Sequence, residues 1–190
     1  ILEEGYEGFA FTSGQAANMA VFMSLNEGDE VLLTDDIYGG TYRIGEDIYR
    51  KYGASFKYVD MSNVEDVRAA ITEKTKMIFI ETPTNPMMKV ADIEEISKIA
   101  KSVGAITVVD NTFLSPYFQK PLTLGADIVV HSGTKFIGGH NDALAGIVVV
   151  KSPEMAEFIR GQIKTQGNML APFDSWLLLR GLKTLPVRME

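Results

Sequence analysis

Ile128-Val129-Val130-His131-Ser132-Gly133-Thr134-Lys135-Phe136-Ile137-Gly138-Gly139-His140-Asn141-Asp142-Ala143-Leu144-Ala145-Gly146-Ile147-Val148-Val149-Val150 holds two apolar, strand-like runs with only Ser132–Ala143 between them. That connection is too short and too rich in glycine for a helical crossover. Parallel neighbours need about a dozen residues or more, usually a helix, so these two runs are expected to pair antiparallel. The chain upstream has the opposite rhythm. Strand-like runs at Gly8–Phe11, Glu30–Thr34, Ser55–Val59, Met77–Glu81, Thr107–Asp110 and Ile128–His131 alternate with helical patterns at Ala16–Ser24, Thr41–Tyr52, Val64–Ile71 and Ile93–Val103. Such alternation is the signature of an α/β fold with a parallel sheet. The expectation is a mostly parallel sheet with one antiparallel strand and helices on both faces. The last helix is the best marked. Ile93, Ile96, Ile99, Ala100 and Val103 recur at helical spacing, Asp92 stands at the N-cap and Gly104 just past the end.

Composition narrows the chemistry. The chain has 190 residues, 46% of them hydrophobic and 23% charged, with no cysteine, two histidines (His131 and His140) and a net charge of −7. Zero cysteine excludes disulfides, thiolate metal sites, iron–sulfur clusters and a cysteine nucleophile in these residues. Two histidines leave little room for a triad or a three-histidine metal centre. The balance of 25 Asp+Glu against 18 Lys+Arg, with no basic cluster, argues against a nucleic-acid binder. Apolar stretches such as Ile147–Val150 and Trp176–Leu179 fall far short of the ~20 residues a membrane span needs. The reading is a cytoplasmic chain of one domain, whose chemistry rests on hydroxyls, carboxylates, a lysine or a borrowed group. Its ends read as cuts in a longer polypeptide: Ile1–Glu4 as the tail of a helix stopped by Gly5, and Glu190 as lying in or just after a helical pattern running from Pro172 through Trp176–Leu179, Leu182 and Leu185.

In open α/β sheets, ligands sit beyond the carboxyl ends of the strands. The loops to read are therefore Thr12–Gln15, Asp35–Thr41, Thr82–Pro86, Asn111–Pro116 and Ser132–Asp142, and the unusual clusters of this sequence fall there. Ser13-Gly14-Gln15-Ala16-Ala17 opens a helix after a strand, which fits either a phosphate on free backbone N–H groups or a simple small-residue turn. Asp110 ends a buried apolar run. It either caps the next turn or pairs with a cationic ring nitrogen, because a desolvated carboxylate needs a partner. Tyr38, before Gly39-Gly40, either covers the rim or stacks on a flat cofactor. Asn85, between Pro83 and Pro86, is a turn residue or a polar group turned to the cleft. Lys135 stands apart from the other eleven lysines: apolar neighbours should partly desolvate it, which makes a nucleophilic amine. With Ser132 and Thr134 alternating before it, that spacing points to a Schiff-base lysine.

Taken in order, Ser13-Gly14-Gln15, Asp36-Ile37-Tyr38-Gly39-Gly40-Thr41-Tyr42, Glu81-Thr82-Pro83-Thr84-Asn85-Pro86, Val109-Asp110-Asn111-Thr112 and His131-Ser132-Gly133-Thr134-Lys135 resemble the Cys/Met metabolism family of pyridoxal-phosphate enzymes, a group of cystathionine γ-synthases, cystathionine lyases, methionine γ-lyases and O-acetylhomoserine sulfhydrylases. The likeness continues through Pro172–Trp176 and Arg180–Leu185 and so spans nearly the whole chain. It implies a fold-type I pyridoxal-phosphate transferase-like large domain over residues 1–190. It also implies roles: Lys135 bonded to the cofactor and moving protons, Asp110 on the pyridine nitrogen, Tyr38 stacked on the ring and helping to exchange the lysine for the substrate amine, Gly14, Gln15, Ser132 and Thr134 on the phosphate, and Asn85 at the ring hydroxyl, with Lys135, Tyr38 and Asp110 as the catalytic set. The reaction implied is elimination or replacement at the β- or γ-carbon of cystathionine or an O-acylated homoserine, with methionine γ-lyase, O-acetylhomoserine sulfhydrylase or a silent scaffold domain as alternatives. Departures are few: Gln15 stands where the family often has Met, Gly133 where it has Ala, Phe136 where it has Tyr. Gly40 replaces the cysteine common in methionine γ-lyases and lowers that option, and Pro83-Thr84-Asn85-Pro86 looks more like the cystathionine enzymes. The family's N-terminal segment, which completes a neighbouring subunit's phosphate site, and its substrate-binding C-terminal domain are not in these residues. The resemblance therefore also implies a homo-oligomer, a dimer of dimers, with an amino acid as substrate. The 190 residues alone would hold the cofactor poorly.

Overall fold

The computed structural model describes residues 1–190. Seven strands, β1 (Glu7–Phe11), β2 (Glu30–Thr34), β3 (Ser55–Val59), β4 (Thr75–Glu81), β5 (Ile106–Asp110), β6 (Ile128–Ser132) and β7 (Gly146–Val150), form one sheet in the order β1-β7-β6-β5-β4-β2-β3. The neighbours from β6 through β5, β4 and β2 to β3 are parallel. β7 alone is reversed, pairing antiparallel with both β6 (Ile128↔Val150 to Ser132↔Gly146) and β1 (Glu7↔Val150 to Phe11↔Gly146). The glycine-rich Ser132–Ala143 connection forms no helix and turns the chain back antiparallel.

Strand alternation sorts the core into two layers. Phe9, Phe11, Val31, Leu33, Met77, Phe79, Val108, Val130 and Val148 face one side, against α1 (Gly14–Phe22) and α6 (Pro153–Gln166). Leu32, Ile78, Ile80, Val109, Val129 and Val149 face the other, against α3 (Val64–Ala70) and α4 (Ile93–Ser102). Strands covered on both sides read as continuous apolar runs, and β2 is buried at all five positions. Side chains close the helix starts. Ser13 accepts from the Ala16 N–H, Asn63 from Glu65, Asp92 from Glu95 and Ser152 from Met155.

Three expectations change. Thr41–Tyr52 is not one α-helix: a short α2 (Gly39–Arg43) widens into a π-helical turn at Ile44–Ile48 and tightens into 3₁₀ at Tyr49–Tyr52. The wide turn seats Gly45 on Phe56, where a β-carbon would stand 3.0 Å from Cδ1. Ile1–Glu4 is a turn rather than a helix tail; the Glu4 N–H donates to the Ile1 carbonyl and the Glu3 side chain is buried. The helical pattern after Pro172 splits into α7 (Pro172–Leu182) and α8 (Leu185–Met189), following the short α5 (Ser115–Phe118) and α6 in chain order.

Candidate active site

Five loops meet at the carboxyl ends of the parallel strands and of β1, enclosing a cleft of about 250 Å³. All eight residues singled out from the sequence line it: Gly14, Gln15, Tyr38, Asn85, Asp110, Ser132, Thr134 and Lys135.

At one end lies the start of α1. Ser13 caps it through Ala16, which leaves the Gly14 and Gln15 N–H groups without partners. The absence of side chains lets this end approach the sheet. A β-carbon on Gly14 would stand 3.1 Å from Ser132 Cβ, and one on Gly146 would stand 2.0 Å from the Ser13 carbonyl oxygen. The Ser132 hydroxyl has no partner, so two N–H groups and one hydroxyl converge without competition for an anion. Thr134 is more occupied. Its hydroxyl accepts the Ala145 N–H at 3.1 Å and pins the β6–β7 loop to the start of β7.

The floor is anionic. Asp110 ends β5 directly beside Glu81 at the end of β4. Asp110 Oδ1 accepts the Thr112 N–H at 3.0 Å and also the Thr112 hydroxyl, which in turn accepts the Ser132 N–H at 2.8 Å. Oδ2 is left open to the cleft. Burial pushes the Asp110 carboxyl above the usual carboxylate range, opposed by the Thr112 bonds and by His131. Such a group gains from a cation placed at Oδ2.

Lys135 departs from expectation. Its flanking apolar residues do not cover it, because Phe136 turns outward at 42% exposed and only Ile137 packs inward, so the Lys135 side chain is exposed at the cleft mouth. Tyr38 stands at the same mouth, half exposed, beside Gly40, where a β-carbon would fall 1.7 Å from Gln15 Nε2 and 2.5 Å from Tyr38 Cε1. Asn85 is exposed as well.

Sequence reasoning gave no role to Glu81, Asn18, Thr112, Phe113 or His131, all of which line the cleft. Glu81 and Thr112 stood inside the quoted motifs, and a carboxylate closing a buried strand was the available signal. His131 carries no charge pattern in the sequence. Its Nε2 lies 2.7 Å from Glu3 Oε1, a residue 128 positions away.

The family model for the Cys/Met metabolism PLP-dependent enzymes matches residues 1–190. The chain belongs to this family. A cystathionine gamma-synthase/O-acetylhomoserine (thiol)-lyase of Bacillus subtilis (strain 168) is 52% identical over 189 residues, 100% of this chain and 51% of the relative. A cystathionine beta-lyase of Lactococcus lactis subsp. cremoris (strain MG1363) is 51% identical over 189 residues, 100% and 50%. The crystal structure of a cystathionine gamma-lyase from Lactobacillus plantarum complexed with L-serine superposes with a TM-score of 0.96 at 46% identity, covering 98% of this chain and 49% of that one. The chain thus spans about half the length of these family members.

The cleft fits the family's cofactor. Pyridoxal phosphate presents a phosphate dianion, a ring nitrogen that carries a proton, a flat ring and an aldehyde. The cleft offers free N–H groups at a helix start, an open carboxylate oxygen, an aromatic ring and a lysine without a salt bridge. Gln15 Oε1, Asn18 Oδ1 and His131 Nδ1, all buried along the same cleft, have no partner within the chain.

Proposed function

We propose that these residues are the cofactor-binding large domain of a longer trans-sulfuration enzyme, which eliminates or replaces a group at the β- or γ-carbon of cystathionine or an O-acylated homoserine. The observation that carries this reading is the convergence of Lys135, the open Oδ2 of Asp110 and the unpartnered N–H groups of Gly14 and Gln15 on one cleft. Pyridoxal phosphate, when bound, supplies an electron sink that makes the substrate's α-proton acidic.

The protein's part is holding and proton transfer. Gly14, Gln15, Ser132 and Thr134 hold the phosphate, with the positive end of α1 adding to the attraction. Asp110 Oδ2 keeps the proton on the ring nitrogen, and Thr112 holds that carboxylate in place through Oδ1. Tyr38 covers the ring and Asn85 reaches its hydroxyl. Lys135 Nζ would hold the cofactor and, as a free amine, would take and return protons at the substrate carbons. The exposure of Lys135 at the mouth gives its long side chain room for both tasks.

The printed name of the Bacillus subtilis relative joins cystathionine γ-synthase with O-acetylhomoserine thiol-lyase, which keeps sulfhydrylase activity as the second reading. We further propose a cytoplasmic homotetramer, a dimer of dimers whose sites are completed by the neighbouring subunit; the family likeness supports the assembly, and the composition the compartment. The decisive experiment adds pyridoxal phosphate to the full-length polypeptide and reduces it with borohydride. A stable adduct on Lys135, absent in Lys135→Ala, is expected. No adduct, or one that persists unchanged in the variant, overturns the reading. Parallel assays with cystathionine, methionine and O-acylated homoserine assign the substrate.

A further inference from the structure

Tyr38 and Asn85 approach the cleft on different loops, one after β2 and one after β4, and both side chains are exposed. Neither side chain has a hydrogen-bond partner to aim it. Their backbones do. Glu81, 8% exposed at the end of β4, accepts the Tyr38 N–H on Oε2 at 2.8 Å and the Asn85 N–H on Oε1 at 3.2 Å. Its own N–H donates to Thr34 Oγ1 at 3.0 Å, which fixes the base of the side chain to β2. One buried carboxylate therefore spans two loops, with an oxygen for each.

A carboxylate is a costly choice at this position. Burial beside Asp110 pushes the Glu81 carboxyl up to about 7 against an ordinary 4.5, and the two backbone N–H groups pull the other way. A neutral side chain would avoid that cost, but none offers two acceptor oxygens at this reach. Glutamine has one acceptor and would present an NH₂ to the second N–H, and aspartate is one methylene short. The loops do not need Glu81 merely to stay together. On their outer side, Asp36 Oδ2 accepts the Thr84 hydroxyl at 2.9 Å and the Met87 N–H at 2.9 Å.

We infer that Glu81 is a positioning residue of this site: its carboxylate clips the backbone of Tyr38 to that of Asn85, so that the ring-covering and ring-orienting groups are set as one unit beside Asp110. The inference rests on the proposed cofactor role of the cleft. It assigns Glu81 no contact with substrate or cofactor, and its effect runs through the two N–H bonds.

The test uses the full-length polypeptide and pyridoxal phosphate, with Glu81→Gln, Glu81→Asp and, as a comparator, Asp36→Ala, which cuts the outer tie and leaves both Glu81 bonds in place. The readouts are the dissociation constant for pyridoxal phosphate and the circular dichroism of the bound cofactor, which reports how the ring is held. Loss of one charge-assisted bond is expected to weaken cofactor binding about tenfold in Glu81→Gln and to reduce the induced dichroism, with the far-ultraviolet spectrum unchanged. Asp36→Ala should move the melting temperature more than the dichroism. In the wild type, amide exchange at Tyr38 and Asn85 should be slow, a measurement that stands even if a variant fails to fold. The inference falls if Glu81→Gln binds and orients cofactor as the wild type does, if Asp36→Ala matches its effect, or if the two amides exchange at solvent rates. A wild type that forms no Lys135 adduct overturns the functional reading first and this inference with it. An adduct with no Glu81 effect overturns this inference alone.

Discussion

The floor and the mouth of the cleft are built on opposite rules. On the floor, Glu81, Asp110, Thr112 and the Ser132 N–H are locked by hydrogen bonds to one another or to backbone, and the two carboxylates lie on adjacent strands. At the mouth, Tyr38, Asn85 and Lys135 are exposed and their side chains have no partner. The floor is where charge must be held still, since a fixed acceptor stabilises a cation without reorganising. In the proposed function the mouth is where side chains move aside and return, those of Tyr38 and Asn85 on backbones that Glu81 holds. Rigidity here follows the chemistry assigned to each residue rather than burial alone.

The contrast breaks most visibly at Asp110. Asp110→Asn keeps an oxygen for both Thr112 donors but removes the charge. Steady-state kinetics of the full-length enzyme should show kcat lower on the order of 10²–10³-fold. The folded chain should be no less stable at pH 8, because the buried charge is gone.

A titration of stability reaches the same floor. The folded-state value of Glu81, about 7, lies above its ordinary 4.5, so its stabilising effect is full below pH 4.5, declines between the two values and is lost above about 7. Relative to Glu81→Gln, the wild type should lose about 3 kcal/mol across that window, as read from urea melts at each pH. Asp110 and Asp36 face Glu81 in both proteins, so the difference reads the Glu81 carboxyl together with its coupling to these two neighbours.

Thr112→Val tests the bracing. It strips a donor from Asp110 and the acceptor from the Ser132 N–H, and should cost about 1–3 kcal/mol in denaturant melts, with weaker cofactor binding. The smallest stability effect belongs to the mouth. Tyr38→Ala keeps the backbone N–H that Glu81 holds and removes a half-exposed ring, so stability should change by less than about 0.5 kcal/mol while cofactor affinity falls. A large loss of stability there would erase the distinction between floor and mouth.

Strands were the most legible part of this chain. The run read at Glu30–Thr34 is β2, that at Ser55–Val59 is β3, and the others miss their ends by one or two residues, because doubly buried strands leave unbroken apolar runs between turn residues. α4, with five buried residues at helical spacing, was equally clear. α6 was not read. It buries only Ala156 and Ile159, too thin a stripe for periodicity, although Ser152-Pro153 at its start and Gly167 at its end were usable punctuation. Strand-end loops pointed to the residues that line the cleft because few other places in the sequence combine glycine, hydroxyl and lysine after a strand. The burial of Lys135 was misjudged because flanking apolar residues reveal composition and not direction, and Phe136 points away. Glu81 escaped for a related reason. Its work is done on backbone N–H groups of residues 38 and 85, and such partners leave no mark on side-chain identity.

The reversed β7 also has a consequence in time. β1, at one edge of the sheet, has β7 as its only neighbour, and the partner of Phe11 is Gly146, 135 residues later. At about 5–20 residues per second of synthesis, β1 waits on the order of 10 s for its mate to be made, while β2 and β3 meet across a short stretch of chain. Ser13 and Gly14 follow directly on β1, so the end of the cleft at the start of α1 is seated only once β7 has been made, after the strands that carry the carboxylate floor.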